Sequence, residues 1–263
     1  MYQFFSRPDR WLGRCGDLRC EVVRRGIPGA PGFLRGLRAL FIADVHIGAD
    51  TREADIAAFA DRIAAQRPDL LLWGGDYSDR PEQARRLFDA LRGLQPLLGS
   101  FAVVGNNDRE AWPDPEALRD VMGASGIRLL LNESATVPLD GGALVIAGVD
   151  EHRYGAPDAR NLYPAGAGGK RYRVLLSHYP VLPTALPDLM LSGHTHGGQF
   201  NLLGCTPYTF GFERVIAHRR APRYISGLHR HGGAQVFVSK GVGASRIPLR
   251  IGVRPEIDLL TFE

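Results

Sequence analysis

The stretch LLLWGGDYSD, residues 70–79, decides how the chain folds, because an apolar run ends abruptly in glycines and carboxylates. The same change occurs in LRALFIADVH at residues 37–46 and in FAVVGNND at residues 101–108. Short apolar runs bounded by glycine and polar residues are typical of buried strands. Apolar residues at helical spacing predict helices at 56–63, about 81–94 and 115–122. Strands that alternate with helices predict the parallel sheet of an α/β protein.

The second half of the chain contains mostly strand patterns. Apolar runs separated by turn residues predict strands at 129–131, 136–139, 144–149, 172–176, 189–191, 223–225, 235–238 and 257–262. Because strands dominate there, we expect two packed sheets with helices outside. Glycine, proline and arginine are frequent in residues 24–36, which predicts a linker or loop. We therefore expect a basic N-terminal segment at 1–36, forming a strand or flap, and a single domain at 37–263.

The composition excludes several classes of protein. Hydrophobic residues make up 44% of the 263 residues and charged residues 23%, which excludes a disordered or fibrous chain. A net charge of +4, without a basic stripe interleaved with aromatic residues, disfavours a nucleic-acid partner. No apolar run reaches the roughly 18 residues of a transmembrane helix. The three cysteines favour a reducing compartment, which predicts a cytoplasmic protein.

Two basic stretches leave alternatives open. Residues 1–38 hold eight arginines and three acidic residues, with Phe4, Phe5 and Trp11 among them. This segment fits either peripheral contact with a membrane surface or a strand packed on the domain. Residues 200–231 combine arginines and histidines, including His218, with aromatic side chains. They fit either a solvated basic face or a rim that binds phosphate or lipid headgroups.

Side chains that bind metals follow the apolar runs at five places. The motifs are DVH at 44–46, GDYSD at 75–79, GNND at 105–108, SHY at 177–179 and GHTHGG at 193–198. Ligands bind beyond the carboxyl ends of strands in open α/β sheets, so we expect these loops to meet. Asp44 and His46, like His194 and His196, are two residues apart, and in an extended chain both members of a pair point to one side. Mixed oxygen and imidazole donors favour two ions of Zn, Mn or Fe, about 3.5–4 Å apart, over Mg or Ca.

The order of these motifs, D-x-H, G-D-x-x-D, G-N-x-D, H and G-H-T-H, resembles that of the calcineurin-like metallophosphoesterases. The resemblance covers about residues 37–263, and FVSKGVGASRIPLR at 237–250 with PEIDLL at 255–260 is similar to the YkuE-type branch. It implies a four-layer α/β/β/α sandwich and a dinuclear metal centre whose bound water attacks phosphorus. The implied ligands are Asp44, His46 and His196 for the first ion, Asn106, His178 and His194 for the second, and Asp76 as the bridge.

The sequence departs from the family pattern at Asn107, where relatives commonly have the histidine of G-N-H-D or G-N-H-E. The family pattern implies that this histidine protonates the leaving oxygen, whereas an amide only forms hydrogen bonds. General acid catalysis is typically worth 10²–10⁴-fold, so poor leaving groups should suffer most. We therefore expect Asn107 to be a catalytic residue that can donate a hydrogen bond to a phosphoryl oxygen. His152, in the run VDEHR, is a candidate for the missing acid, and Arg109 is a candidate for substrate binding.

These features predict a hydrolase of phosphoester or phosphoanhydride bonds that uses two metal ions. A phosphodiesterase or pyrophosphohydrolase acting on a lipid- or nucleotide-linked substrate fits the basic N-terminal segment, the aromatic and arginine-rich stretch, and the missing acid. The partner would be a phosphorylated small molecule or a lipid. The alternative is a non-catalytic metal-binding scaffold of the same fold. Because all seven implied ligand positions are filled, the sequence favours the enzyme.

Overall fold

A computed structural model describes residues 12–14, 16–163, 169–210 and 223–263. In the first part of the chain these residues form β1 (Leu12–Arg14), β2 (Glu21–Ile27), β3 (Arg38–Ile42), α1 (Glu53–Ala64), β4 (Leu70–Trp73), α2 (Pro81–Leu91), β5 (Ser100–Ala102), α3 (Asn106–Ala111), α4 (Pro115–Gly123) and β6 (Ile127–Leu129). The remaining strands are β7 (Glu133–Leu139), β8 (Gly142–Gly148), β9 (Arg171–Leu176), β10 (Leu189–Ser192), β11 (Gly227–His231), β12 (Ala234–Val238), β13 (Leu249–Ile251) and β14 (Glu256–Phe262).

The first sheet contains the βαβ units that the sequence predicts. Its six strands lie in the order β2-β14-β3-β4-β5-β6. The four strands β3, β4, β5 and β6 are parallel neighbours, while β14 runs antiparallel to β3 and parallel to β2. Helices follow β3, β4 and β5, as expected for parallel strands that need long crossover connections. Their carboxyl ends therefore open at one edge of the sheet.

The second sheet is built from the strand-rich half of the chain. Its six strands lie in the order β11-β12-β10-β9-β8-β7. The inner strands β8, β9, β10 and β12 are parallel, and the edge strands β7 and β11 are antiparallel to their neighbours. A separate pair, β1 with β13, is antiparallel. Each of the two six-stranded sheets therefore contains four neighbouring parallel strands whose carboxyl ends lie at one edge of that sheet.

The two sheets pack face to face and bury a common core. Along β3 the side chains alternate: Phe41 points towards the second sheet, whereas Leu40 and Ile42 pack beneath the helices. Phe41 meets Phe237 of β12 edge to face, with ring centroids 6.4 Å apart. The predicted α/β sandwich is confirmed. Within the described residues all four α-helices lie between Glu53 and Gly123.

Two local predictions were wrong. Residues 24–36 are not simply a loop, because residues 24–27 complete β2, which pairs with β14 along seven residues. The strand predicted at 223–225 is not formed. The nearby strand β11 is one arm of a hairpin with β12, and their pairing ends at Gly227 opposite Val238, which is the last residue of β12. The division of the chain into residues 1–36 and 37–263 stays a prediction.

Several residues singled out in the sequence lie outside the described residues. Phe4, Phe5 and Trp11 and the basic residues around His218 are outside the described residues. Cys15 is also outside them, while Cys20 and Cys205 are unpaired thiols. In the described ranges, every helix is too short or too polar to cross a membrane.

Candidate metal centre

Loops from both sheets meet beyond the carboxyl ends of their strands. Asp44 and Asp76 follow β3 and β4 of the first sheet, and His178 and His194 follow β9 and β10 of the second. The backbone N–H of His194 donates to both carboxylate oxygens of Asp44, at 3.0 Å each. The backbone N–H of Asp44 in turn donates to the carbonyl of Gly75, at 2.9 Å. These contacts join the two sheets at their carboxyl ends, so side chains far apart in sequence share one site.

The backbone turns sharply at most of the predicted ligands. Positive φ angles occur at five of the seven, namely Asp44 (53°), His46 (47°), Asp76 (57°), His194 (69°) and His196 (51°). Residues other than glycine rarely adopt this left-handed region, which costs of order 1–3 kcal/mol each. The expectation of an extended chain at the two D-x-H and H-x-H pairs is therefore wrong. Left-handed bends, rather than the alternation of a strand, direct these side chains into the site.

Two groups of donor atoms lie close enough to hold metal ions. One contains Asp44, His46 and His196, and the other contains Asp44, Asp76 and His178. Within each group one ligand atom from each residue lies within 4.8 Å of the others. A carboxylate oxygen of Asp76, Oδ2, lies 3.5 Å from Nε2 of His46 and 3.4 Å from Nε2 of His178. The two groups share Asp44, and Asp76 of the second group also lies close to His46 of the first.

Unpartnered atoms in this cluster fit metal ligands. Nε2 of His46, Nε2 of His178 and Oδ1 of Asn106 are buried and have no hydrogen-bond partner. Such groups are costly unless something binds them. Nδ1 of His178 lies 2.8 Å from the carbonyl of Gly74, a contact that orients the ring and leaves Nε2 facing Asp76. The amide nitrogen of Asn106 donates to Oδ1 of Asn107, which leaves its carbonyl oxygen available as a ligand.

The electrostatics of the cluster follow from burial and from its own charges. Burial raises the pKa of Asp44 to about 6, and the nearby charge of Asp76 adds to this effect. Burial alone would raise the pKa of Asp76 as well, but His178 and His46 beside it hold that pKa well below its usual range. Burial would lower the pKa of His178, yet the carboxylate of Asp76 raises it to about 10. The two groups thus act on each other: the carboxylate of Asp76 favours the charged form of His178, and His178 favours the ionised form of Asp76.

The last two histidines have the opposite tendency. Burial and the charge of His178 lower the pKa of His194 to about 3. Burial, His46 and Arg250 lower the pKa of His196 far below its usual value. Both rings are therefore neutral at pH 7, which is the form that binds metal. His194 lies outside the two donor groups and adjoins them, with its ring centroid 5.1 Å from that of His178.

Asp108 and two glycines hold the carboxylates in place. The carboxylate of Asp108 accepts hydrogen bonds from the backbone N–H groups of Asp76, Tyr77 and Gly105, at 2.7–2.9 Å. Asp108 thereby supports the loops that carry Asp76 and Asn106. A Cβ at Gly105 would lie 2.1 Å from Oδ1 of Asp76, and a Cβ at Gly193 would lie 2.4 Å from Oδ2 of Asp44. Both positions require glycine because a carboxylate occupies the space of the side chain.

The three residues predicted to act on the substrate lie in different surroundings. Asn107 lines a cavity of about 600 Å³ beside the donor groups, and its amide nitrogen donates to Oδ1 of Asp79, at 2.6 Å. Arg109 forms an ion pair with Asp150, at 3.2 Å, and is absent from the described lining of this cavity. His152 is also absent from that lining and packs against Tyr179, with ring centroids 5.6 Å apart.

The sequence analysis did not single out several side chains that lie at the site. Tyr179 stacks on His194, with ring centroids 3.7 Å apart. Arg250 is fully buried and donates to Nδ1 of His196, at 3.1 Å, and to the carbonyl of Gly243, at 2.7 Å. Arg153 and Arg246 line the cavity. Arg246 and Arg250 belong to the run that resembles the YkuE-type branch, which is the one sequence signal that could have indicated them.

Comparisons with known proteins agree with this geometry. The family model of the calcineurin-like phosphoesterases matches residues 37–198. The chain is 28% identical over 241 residues to the uncharacterized metallophosphoesterase YkuE of Bacillus subtilis, covering 89% of this chain and 81% of the relative. It is 30% identical over 254 residues to the phosphodiesterase YaeI of Escherichia coli, covering 91% and 87%.

A third relative is an uncharacterized metallophosphoesterase of Aquifex aeolicus, 30% identical over 238 residues, covering 86% of this chain and 85% of the relative. The motif order, the converging loops and these matches lead to one assignment. The chain belongs to the calcineurin-like phosphoesterase family, in its YkuE branch, and is a metal-dependent phosphoesterase.

Proposed function

We propose that the protein hydrolyses phosphodiester or phosphoanhydride bonds at a centre of two metal ions. The observation that carries this proposal is the position of Asp76, whose Oδ2 lies within 3.5 Å of Nε2 of both His46 and His178. A carboxylate between two imidazoles is suited to bridging two cations. The relative named as a phosphodiesterase, YaeI, supports the diesterase class.

The chain supplies a set of ligands for each ion. The first ion would be held by Asp44, His46, Asp76 and His196, and the second by Asp76, Asn106, His178 and His194. Oxygen and imidazole donors of this kind suit Mn, Zn or Fe. When bound, two such ions would lower the pKa of a water ligand towards about 7 and would offset negative charge on phosphoryl oxygens. The carboxylate of Asp108 supports the loops that carry Asp76 and Asn106, and the cavity would receive the substrate.

The leaving group is the step at which this chain differs from its family. Asn107 lines the cavity, but its amide can donate a hydrogen bond and cannot transfer a proton. His152 and Arg109 stay candidates for acid and substrate binding, although Arg109 is engaged by Asp150. A substrate whose leaving group is already stable as an anion, such as a phosphate released from a phosphoanhydride, needs no acid.

The cavity fits a substrate larger than a phosphomonoester. Its volume of about 600 Å³ lies in the range of small-molecule sites. Tyr154, Tyr179 and Phe200 line it together with polar side chains. Aromatic and polar walls suit a nucleobase or the first part of a lipid chain attached to phosphate. We therefore propose that the substrate is lipid-linked or nucleotide-linked. We further propose that the protein is cytoplasmic and makes peripheral contact with membranes.

Metal analysis and turnover of bis-p-nitrophenyl phosphate with Mn²⁺ test the proposal. We expect two metal ions per chain and hydrolysis that an Asp76→Asn substitution reduces by at least 100-fold, because that change removes the shared carboxylate. The exposed Asp61→Asn is the matched control and should retain activity. One ion per chain would overturn the dinuclear centre. Full loading with no turnover of diesters or phosphoanhydrides would favour the metal-binding scaffold instead.

A further inference from the structure

We propose that Arg153 and Arg246 form an anion subsite beside the metal centre, which selects substrates that carry a second anionic group, and that Gln199 is the positioning residue for Arg246. This inference rests on the proposed function, because it concerns the substrate of the same cavity. Both arginines line the cavity but come from different loops, one after β8 and one before β13.

Arg153 lies in a turn that buried carboxylates hold in shape. The carboxylate of Glu151 accepts the backbone N–H groups of Arg153, at 2.5 Å, and Tyr154, at 2.6 Å. The guanidinium of Arg153 lies over the ring of Tyr154, 4.8 Å from its centroid. Among the described residues no carboxylate forms an ion pair with it, whereas the neighbouring Arg109 is neutralised by Asp150. The positive charge of Arg153 is therefore available to a ligand in the cavity.

Gln199 fastens the loop that carries Arg246. Its side-chain nitrogen lies within 3.2 Å of the carbonyl oxygens of Ser245, Ile247 and Leu249. Its side-chain oxygen accepts the backbone N–H of Ser245, at 3.0 Å. The loop is thus held on both sides of Arg246 by one side chain, which follows the ligand His196 by three positions.

Gln199 and Arg246 both have an unusual backbone conformation. Gln199 has a φ of 55° and Arg246 a φ of 60°, in the left-handed region that side chains other than glycine rarely adopt. Such strain persists where the surrounding contacts determine the conformation, and it clusters at ligand sites. The hydrogen bonds of Gln199 supply those contacts, so the direction of Arg246 is tied to the metal-binding loop.

The location of the arginines indicates what they bind. The planar guanidinium forms paired hydrogen bonds to phosphate or carboxylate oxygens. Arg246 is exposed, whereas the donor atoms of Asp44, Asp76 and His178 are buried. A guanidinium at the rim meets the part of a substrate that extends away from the metals. We infer that the group it meets is a second phosphate or another anion, and not the phosphorus that is attacked.

Calorimetry on the Mn²⁺-loaded protein tests the subsite without turnover. The probes are thymidine 5′-phosphate and thymidine 3′,5′-bisphosphate, which differ by one phosphate. We expect the wild type to bind the bisphosphate at least tenfold more tightly. Arg153→Gln and Arg246→Gln should each reduce that preference at least fivefold. Arg35→Gln, an exposed arginine outside the cavity, is the matched control and should keep it.

A double-variant comparison distinguishes a positioning role of Gln199 from a general loss of structure. Gln199→Ala should reduce the preference for the bisphosphate as Arg246→Gln does, and the double variant should lose no more than either single variant. Additive losses would show that the two residues act independently. A wild-type preference below twofold, or variants that weaken both probes equally, would overturn the subsite. Turnover of the p-nitrophenyl ester of thymidine 5′-phosphate reports on the proposed function separately, so the two failures are distinguishable.

Discussion

At the scale of single residues, the site depends on side chains that the backbone holds in strained or crowded positions. Asp44 and Asp76 have positive φ angles, and glycines at 105 and 193 pack against their carboxylates. The motif letters made these residues recognisable, because carboxylate, amide and imidazole groups at strand ends indicate metal chemistry. The left-handed bends could not be predicted, because their strain is offset by hydrogen bonds from distant segments, such as that from His194 to Asp44.

The lost acid at position 107 leads to a prediction about leaving groups. In an Asn107→His variant, the carboxylate of Asp79 would lie beside the new ring, because it now accepts a hydrogen bond from the Asn107 amide at 2.6 Å. We expect hydrolysis of a diester with a poor leaving group to rise at least tenfold, and that of a p-nitrophenyl ester to change little. Rates across diesters of graded leaving-group pKa measure this effect.

An Asn107→Gln variant, which stays an amide, is the control. Equal metal content in both variants must accompany the comparison. If the poorest leaving group reacts no faster in the histidine variant, the account of the lost acid is wrong.

The close approach of Gly105 to Asp76 gives a second prediction. A methyl group in a Gly105→Ala variant would lie 2.1 Å from Oδ1 of Asp76 and must displace that carboxylate. We expect metal affinity to fall by about 10–100-fold, as for other changes in the groups that support a ligand. Metal content after dialysis checks this. Gly123→Ala, where no atom beyond its chain neighbours and its own helix backbone lies within 4 Å of the new Cβ, should retain its metal. Equal retention by both variants would contradict the prediction.

At the scale of elements, the strand ends decide where the chemistry lies. The apolar runs predicted β3, β4 and β10 because a buried strand of a parallel sheet is apolar on both faces. Residues 24–27 of β2 were predicted as part of a loop, because residues 24–36 are rich in glycine, proline and arginine. Arg25 on this strand nevertheless pairs with two buried carboxylates on β14. Its Nε donates to Asp258 and its Nη2 to Glu256, both at 3.1 Å. The second carboxylate also binds Lys240, at 2.7 Å.

This charge cluster predicts that β2 stabilises the domain. An Arg25→Gln substitution leaves the carboxylates of Asp258 and Glu256 short of a partner, and we expect the free energy of unfolding to fall by about 2–3 kcal/mol. Urea denaturation measures the change. Arg24→Gln alters the next residue along the strand, which is exposed, and should change stability by less than about 0.5 kcal/mol. Equal effects of both substitutions would show that the charge cluster does not hold β2.

At the scale of the whole molecule, the metal centre lies where the two sheets meet. Loops after β3, β4 and β5 and loops after β9 and β10 all end there, and the sheets share one core beneath it. A ligand bound by residues of both sheets stabilises the arrangement of the sheets as well as the loops, because the unfolded chain cannot bind it in the same way.

Removal of metal should therefore lower the thermal stability of the molecule. At a free metal concentration 100 times Kd, a single site contributes about 2.7 kcal/mol. We expect the Tm to fall after treatment with EDTA and to recover when Mn²⁺ is added in excess of the chelator. Scanning calorimetry measures both steps. The Asp76→Asn variant should show a much smaller response, and an unchanged Tm in the wild-type protein would contradict a centre that binds both sheets.

The sequence by itself determined the α/β class, the order of the ligand-bearing loops and the family, because these follow from local apolar periodicity and from residue types at strand ends. Only the tertiary structure decided which side chains share a cavity. It placed Arg153, Arg246 and Gln199 beside the metal centre, and it engaged Arg109 with Asp150. The physical reason is that the ability of a side chain to bind a metal depends on its own residue type, whereas contact between distant side chains depends on how the two sheets pack.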